Sequence, residues 1–166
     1  MGCGPEKAPQ HVMPANVTID SERKLVITIC AGTVTDEEFL EARKQLLADA
    51  AFDASFDRIW DFSAVISEQV SEEAIVRLVK TSPFVGDISR AVVMSMSPKA
   101  LARIMEFVFQ SRQLNRRIAV FPTLQSAEQW IESERRTRTQ VQEQTPRHGE
   151  AATAPRHGEV ELARHG

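Results

Sequence analysis

The sequence predicts an α/β domain built on a mixed, mostly parallel sheet. Three observations carry that expectation: short apolar runs rich in β-formers, amphipathic helical stretches between the later runs, and a polar turn joining the first two. Strands that alternate with helices need crossover connections. The later strands should therefore be mutually parallel, with the opening hairpin adding one antiparallel neighbour, in the order β-β-α-β-α-β-α-β-α.

Val12 to Ile19 and Leu25 to Ala31 are β-rich, and Asp20-Ser21-Glu22-Arg23-Lys24 between them reads as the hairpin turn. Thr35 followed by Asp36, Glu37 and Glu38 is a capping box that starts the first helix, with Val34 and Phe39 as its hydrophobic staple. Phe39, Ala42, Leu46, Leu47 and Ala50 recur at helical spacing and send one stripe toward a core. Arg58-Ile59-Trp60-Asp61-Phe62 reads as a strand. After Ser63-Ala64-Val65-Ile66-Ser67, Ser71 caps a second helix that buries Ile75, Leu78 and Val79, and Pro83 and Gly86 close it.

Ala91 to Met96 has the near-continuous apolarity of a strand covered on both sides, the expected centre of the sheet. Ser97-Pro98 supplies a cap and a proline at the first helical position. Leu101, Ile104, Met105, Val108 and Arg112 then line one face of a helix reaching about Asn115. Arg117 to Phe121 is the last strand, and Pro122-Thr123 starts a last helix whose inward side is Leu124, Ala127, Trp130 and Ile131.

At 166 residues, with 42% hydrophobic and 26% charged, the chain suits one domain with extra tail and excludes two large domains. Residues 1–11 are rich in Pro, Gly and charge, and apolar periodicity stops at about Ser133. The domain is therefore expected over 12–132, with a flexible N-terminal segment and a low-complexity, disordered tail over 133–166. That tail repeats Pro146-Arg147-His148-Gly149-Glu150 as Pro155-Arg156-His157-Gly158-Glu159 and then as Ala163-Arg164-His165-Gly166. Gly and Pro beside each histidine leave no rigid geometry for a metal.

No apolar run approaches the roughly 20 residues that cross a bilayer, so a soluble protein that does not span a membrane is expected. The start, Met1-Gly2-Cys3-Gly4-Pro5-Glu6, lacks the apolar stretch of a secretory or lipoprotein signal, and Glu6 stands where myristoylation wants Ser or Thr. Cys3 and Cys30 have neither disulfide nor metal-ligand spacing, which points to the cytoplasm. Net charge −3 with interspersed bases argues against a nucleic-acid partner, and Arg116-Arg117 reads as a solvated lead-in to a strand.

The element order, with Val17-Thr18-Ile19, Val26-Ile27-Thr28-Ile29, Ile59-Trp60-Asp61-Phe62-Ser63 and Arg117-Ile118-Ala119-Val120-Phe121 leading to Ser126-Ala127-Glu128-Gln129-Trp130-Ile131, resembles the STAS superfamily over residues 12–132. It looks closest to the SpoIIAA-like branch, related to CRAL-TRIO folds. The resemblance implies a binding and regulatory module rather than a catalyst. It also implies a serine phosphorylated at the start of the second helix, where Ser71 stands, although Ile66-Ser67-Glu68-Gln69-Val70-Ser71-Glu72-Glu73 replaces the Asp-Ser-Ser-Gly context of switchable members. Two glutamates after Ser71 would repel an added dianion, and capping alone accounts for the serine.

The other reading is an apolar small-molecule or lipid carrier. Ligands of open α/β sheets favour the carboxyl ends of strands, which here carry Asp61, Ser63, Met94, Ser95, Met96, Ser97 and Phe121. If Leu101, Ile104, Met105 and Val108 face the sheet, Phe109 lies on the flank and Phe107 points away, as candidates for a partner or homodimer surface. No phosphate loop, nucleophile elbow, or His or Cys pair occurs within the expected domain, so neither catalysis nor a cofactor or metal is expected. The expected partner is a protein or an apolar small molecule.

Overall fold

Successive residues of the strand Asp57–Gln69 point to opposite sides of a sheet, and its first six residues are all buried. A sheet buried on both sides must be covered front and back. The structure, a computed structural model, describes residues 14–144. Its elements are β1 (Ala15–Asp20), β2 (Leu25–Thr35), α1 (Asp36–Ala48), β3 (Asp57–Gln69), α2 (Glu72–Lys80), β4 (Arg90–Val93), α3 (Pro98–Gln113), β5 (Ile118–Phe121) and α4 (Leu124–Gln144). This is the α/β order that the sequence predicts. The strands lie side by side in the order β1-β2-β3-β4-β5, with β1 antiparallel to β2 and every other pair parallel.

Parity along the strands sorts the core into two layers. Cys30, Trp60 and Val92 face α1, α2 and α3, meeting Ala42, Ile75, Ile104 and Val108. Leu25, Ile59, Ala91 and Val93 face the opposite way and meet Ala127 and Ile131 of α4. A further cluster of Val26, Leu46, Phe56, Phe84 and Ile88 closes the end of the sheet where β3 and β4 begin. Each Val, Leu, Ile or Phe among them, fully buried, contributes about 1.5–3 kcal/mol before entropy is charged.

The helix starts are held by the residues expected to cap them. The Thr35 backbone N–H donates to the Glu38 carboxylate at 2.7 Å, closing half of a capping box. Ser71 Oγ accepts from the Ala74 N–H at 3.1 Å, and Ser97 Oγ from the Ala100 N–H at 3.5 Å. Gly86, expected to end the loop after α2, has φ +77° and takes a conformation that other residues rarely adopt.

Several boundaries differ from expectation. β3 does not stop at Phe62 but continues to Gln69, because Ala31–Thr35 of β2 runs on beside it and supplies hydrogen-bond partners. β4 ends at Val93, so Met94 and Met96 lie beyond the strand, and the centre of the sheet is β3 rather than the Ala91–Met96 run expected there. On α3, the buried residues are Ala100, Ile104, Val108 and Ser111, and Met105, expected inside, is 47% exposed. Leu47 of α1 is likewise exposed.

Residues 133–144, expected to belong to the tail, form the second half of α4. Their anchor is electrostatic. Asp57 is buried at the start of β3, and its carboxylate accepts from Arg135 Nε at 2.5 Å and from Arg138 Nη2 at 2.9 and 3.0 Å. The Ser89 N–H adds a further donor at 2.7 Å. The N-terminal segment 1–11 and the repeated histidines His148, His157 and His165 lie outside the described residues.

Stripping a buried carboxylate of its cations costs about 3–5 kcal/mol. Arg135→Ala with Arg138→Ala, or a chain ending at Glu132, is therefore expected to lose stability by that order in urea denaturation. An unchanged midpoint would show that the second half of α4 is not needed by the fold.

Candidate functional site

The face covered by α1, α2 and α3 gathers four aromatic rings. Trp60 and Phe62, two residues apart on β3, point the same way and stack with centroids 5.7 Å apart and planes 6° from parallel. Phe39 arrives from the first turn of α1 and meets them edge-on at 5.4 and 6.2 Å. Phe107 arrives from α3 and meets Trp60 edge-on at 6.3 Å. Edge-to-face rings are favourable pairs, but they leave corners that aliphatic side chains must fill.

Here the corners are not filled. A cavity of about 40 Å³ remains, lined by Phe39, Trp60, Phe62, Val65, Ile104 and Phe107, with Glu68 and Arg103 at its border and an apolar wall throughout. Glu68 is buried, and its carboxylate accepts from the Val70 N–H at 3.1 Å with Lys99 and Arg103 each 3.8 Å away. Phe39 and Leu78 also line a groove of about 180 Å³ between α1 and α2, where Asp36, Arg43, Ser71 and Arg77 form the polar part. The cavity and the groove therefore share walls.

Phe107, expected to point away from the sheet, is half-buried against Trp60, whereas Phe109 is 57% exposed. At about 100° per residue, Ala100, Ile104 and Ser111 place the centre of the buried stripe close to Phe107. A stripe drawn through Leu101 and Met105 is rotated away from it. Small residues mark where α3 comes close to its neighbours, and large ones alone misplace the face.

The residues expected to form a pocket at the strand ends do not gather around a common space. Asp61 is buried, and its Oδ1 accepts from the Ser63 N–H at 2.9 Å. Ser95 Oγ donates to the Val65 carbonyl at 2.9 Å and accepts from the Ser97 N–H at 3.0 Å, and Ser97 caps α3. Met94 is half-buried, Met96 is 93% exposed, and Phe121 packs on Trp130 at 5.4 Å. These polar groups are committed to the backbone around them.

Ser71 is committed as well. Its N–H donates to Asp36 Oδ1 at 2.8 Å and its hydroxyl to Asp36 Oδ2 at 2.7 Å, which ties the first turn of α1 to that of α2. A phosphate on Ser71 would face Asp36, Glu72 and Glu73. Cys30 is fully buried, and burial pushes its thiol up to about 12, beyond reach as a nucleophile at neutral pH.

The sequence reading passed over two residues on this face. Arg58 and Arg90 are buried beside Trp60 and Val92, on neighbouring strands in register. The signal was period-2 alternation: Arg58 stands two residues before Trp60 and Arg90 two before Val92, so each must share its aromatic or aliphatic partner's face. Arg116 and Arg117, expected to be solvated, are both drawn in. Arg116 is half-buried, and Arg117 pairs with Glu134 and, at 3.3 Å, with Asp87. Among the described residues, no group of three or more His, Cys, Asp or Glu stands where a metal could be held, and no helix is long and apolar enough to cross a membrane.

Ser71→Ala removes a cap and one bond to a carboxylate, and is expected to lower stability by about 1–2 kcal/mol in denaturant titration. Ser71→Asp should be no better tolerated, since it faces Asp36, and Asp36→Asn should relieve that cost. Full stability of Ser71→Asp alone would refute the clamp. Cys30 should resist iodoacetamide at pH 8 in the folded chain and react on unfolding, as read by mass spectrometry of its peptide.

No family model matches the sequence, and no curated protein matches it. Among solved structures, the chain is similar to an uncharacterized protein of the DUF3478 family with a SpoIIAA-like fold from Shewanella loihica PV-4. The TM-score is 0.44 and the identity 11%, over 70% of this chain and 91% of that one. The chain's own architecture is α/β, with a mixed, mostly parallel five-stranded sheet.

Proposed function

We propose that this domain acts by binding a small apolar or aromatic molecule at the cavity between Phe39, Trp60, Phe62 and Phe107, with no chemistry of its own. The observation that supports this reading is the unfilled space beside four rings, sharing Phe39 and Leu78 with the groove between α1 and α2. Protein interiors are packed to crystal density, and side chains around a void forgo dispersion contacts that a guest would restore.

Size narrows the guest. Volumes of about 40 and 180 Å³ fall short of the roughly 300–1,000 Å³ of drug-sized sites, so a single ring or short branched chain suits the space and a lipid tail does not. A switch driven by phosphorylation of Ser71 has less support, because the hydroxyl already donates to Asp36.

Titration with benzyl alcohol and indole, followed by NMR, tests the proposal. The resonances of Phe39, Trp60 and Phe107 are expected to shift together and saturably, while those of Phe121 and Trp130 on the opposite face stay still. Phe107→Ala should enlarge the cavity and tighten indole binding even as it lowers the melting temperature. Uniform small shifts across the surface, or none at millimolar probe, would overturn the reading.

A further inference from the structure

Two neighbours at the start of β3 carry opposite charges to opposite faces, and the fold treats them differently. Asp57 is met by two arginines and a backbone N–H. Arg58 is only 7% exposed and its backbone N–H donates to the Ser89 carbonyl at 3.0 Å, yet among the described residues no side-chain hydrogen bond or ion pair reaches its guanidinium, and its Nε is buried without an acceptor. Its guanidinium lies over the rings of Trp60 at 3.9 Å and Phe84 at 4.7 Å. Those contacts favour the charge but accept none of its N–H groups in line.

Beside it in register stands Arg90, also 7% exposed, whose side chain donates to the Ile88 carbonyl at 3.3 Å and pairs with no carboxylate among the described residues. Like charges side by side on a buried sheet face repel each other. Burial pulls Arg58 down to about 9 and Arg90 to about 10, and both remain charged at pH 7. Arg116 joins them. With Trp60, Leu78, Ser82 and Phe107, the three guanidinium groups line a space of about 10 Å³. Cations gathered out of water without an anion are costly, and the cost falls when an anion arrives.

Trp60, Leu78 and Phe107 line this cationic space and the aromatic cavity alike, which makes the two adjacent. We infer that Arg58, Arg90 and Arg116 receive the carboxylate of a small apolar acid whose body rests in the aromatic cavity; the inference rests on the binding function proposed above. A guanidinium fork matches a planar carboxylate. A space of about 10 Å³ holds roughly one water-sized atom, room for one oxygen of the anion.

The test compares 3-phenylpropionate with 3-phenylpropanol, which has the same skeleton and no charge, by calorimetry and NMR on the full chain. The acid is expected to bind about tenfold or more tightly than the alcohol. Arg58→Met should erase that preference, so that acid and alcohol bind alike, and without ligand this variant should be no less stable than the parent, because it removes an unpaired buried charge. Arg116→Ala, at a half-buried position, should weaken acid binding alone, and it serves as the readout if Arg58→Met fails to fold. Equal affinity for acid and alcohol, or a preference that survives both substitutions, would overturn the inference while the binding function stands. Phenyl phosphate binding more tightly than the acid would overturn the carboxylate assignment. If neither the acid nor the alcohol binds, the binding function itself fails.

Discussion

A strand buried on both faces carries a charge at a cost unless that charge is given a partner, and the layout of this molecule follows from how β3 meets that constraint on each side. Asp57 and Arg58 are consecutive, so the pleat sends one to each face. On the α4 side, the carboxylate draws Arg135 and Arg138 across the sheet edge and gives a polar helix half a reason to stay ordered. On the other side, the guanidinium is supported by rings instead of carboxylates. The sheet thus separates a satisfied charge from an unsatisfied one by the thickness of a single backbone.

The two layers also differ in how they are filled. Against α4, Leu25, Ile59, Ala91 and Val93 meet Ala127 and Ile131 in aliphatic contact. Against α1 and α3, flat rings approach one another edge-on, and their positions depend on three different elements. The wall made by Trp60 and Phe62 is rigid, since both stand on the central strand. Phe39 is held only as well as the start of α1, where Thr35, Glu38 and the bonds between Asp36 and Ser71 act together. Helix caps and cavity shape are coupled through that first turn.

The succession of elements and the helix starts were legible in the sequence because both are local. Thr35, Ser71 and Ser97 announce helices through bonds that span three or four residues, and apolar runs separated by amphipathic stretches leave few topologies open. What was not legible depended on partners distant along the chain. The extension of β3 past Phe62 exists because β2 runs beside it, and nothing within Ser63–Ser67 says so. Helical order beyond Glu132 rests on charged residues reaching Asp57, about which apolar periodicity is silent. The aromatic site was missed by rotating α3 toward Met105, when Ala100 and Ser111 were the better markers of its buried side. Arg58 and Arg90 followed from parity but looked like strand boundaries, because arginine at the edge of an apolar run is ordinarily solvated.

The pairing of Asp57 with α4 bears on how the chain is made. Synthesis proceeds from the N-terminus, and β3 leaves the ribosome some eighty residues before Arg138 does. Throughout that interval the nascent sheet carries a carboxylate whose counter-ions have yet to be translated. That face of the sheet stays open to water until α4 packs on it, so the carboxylate exchanges its hydration for Arg135 and Arg138 only once the last helix has emerged.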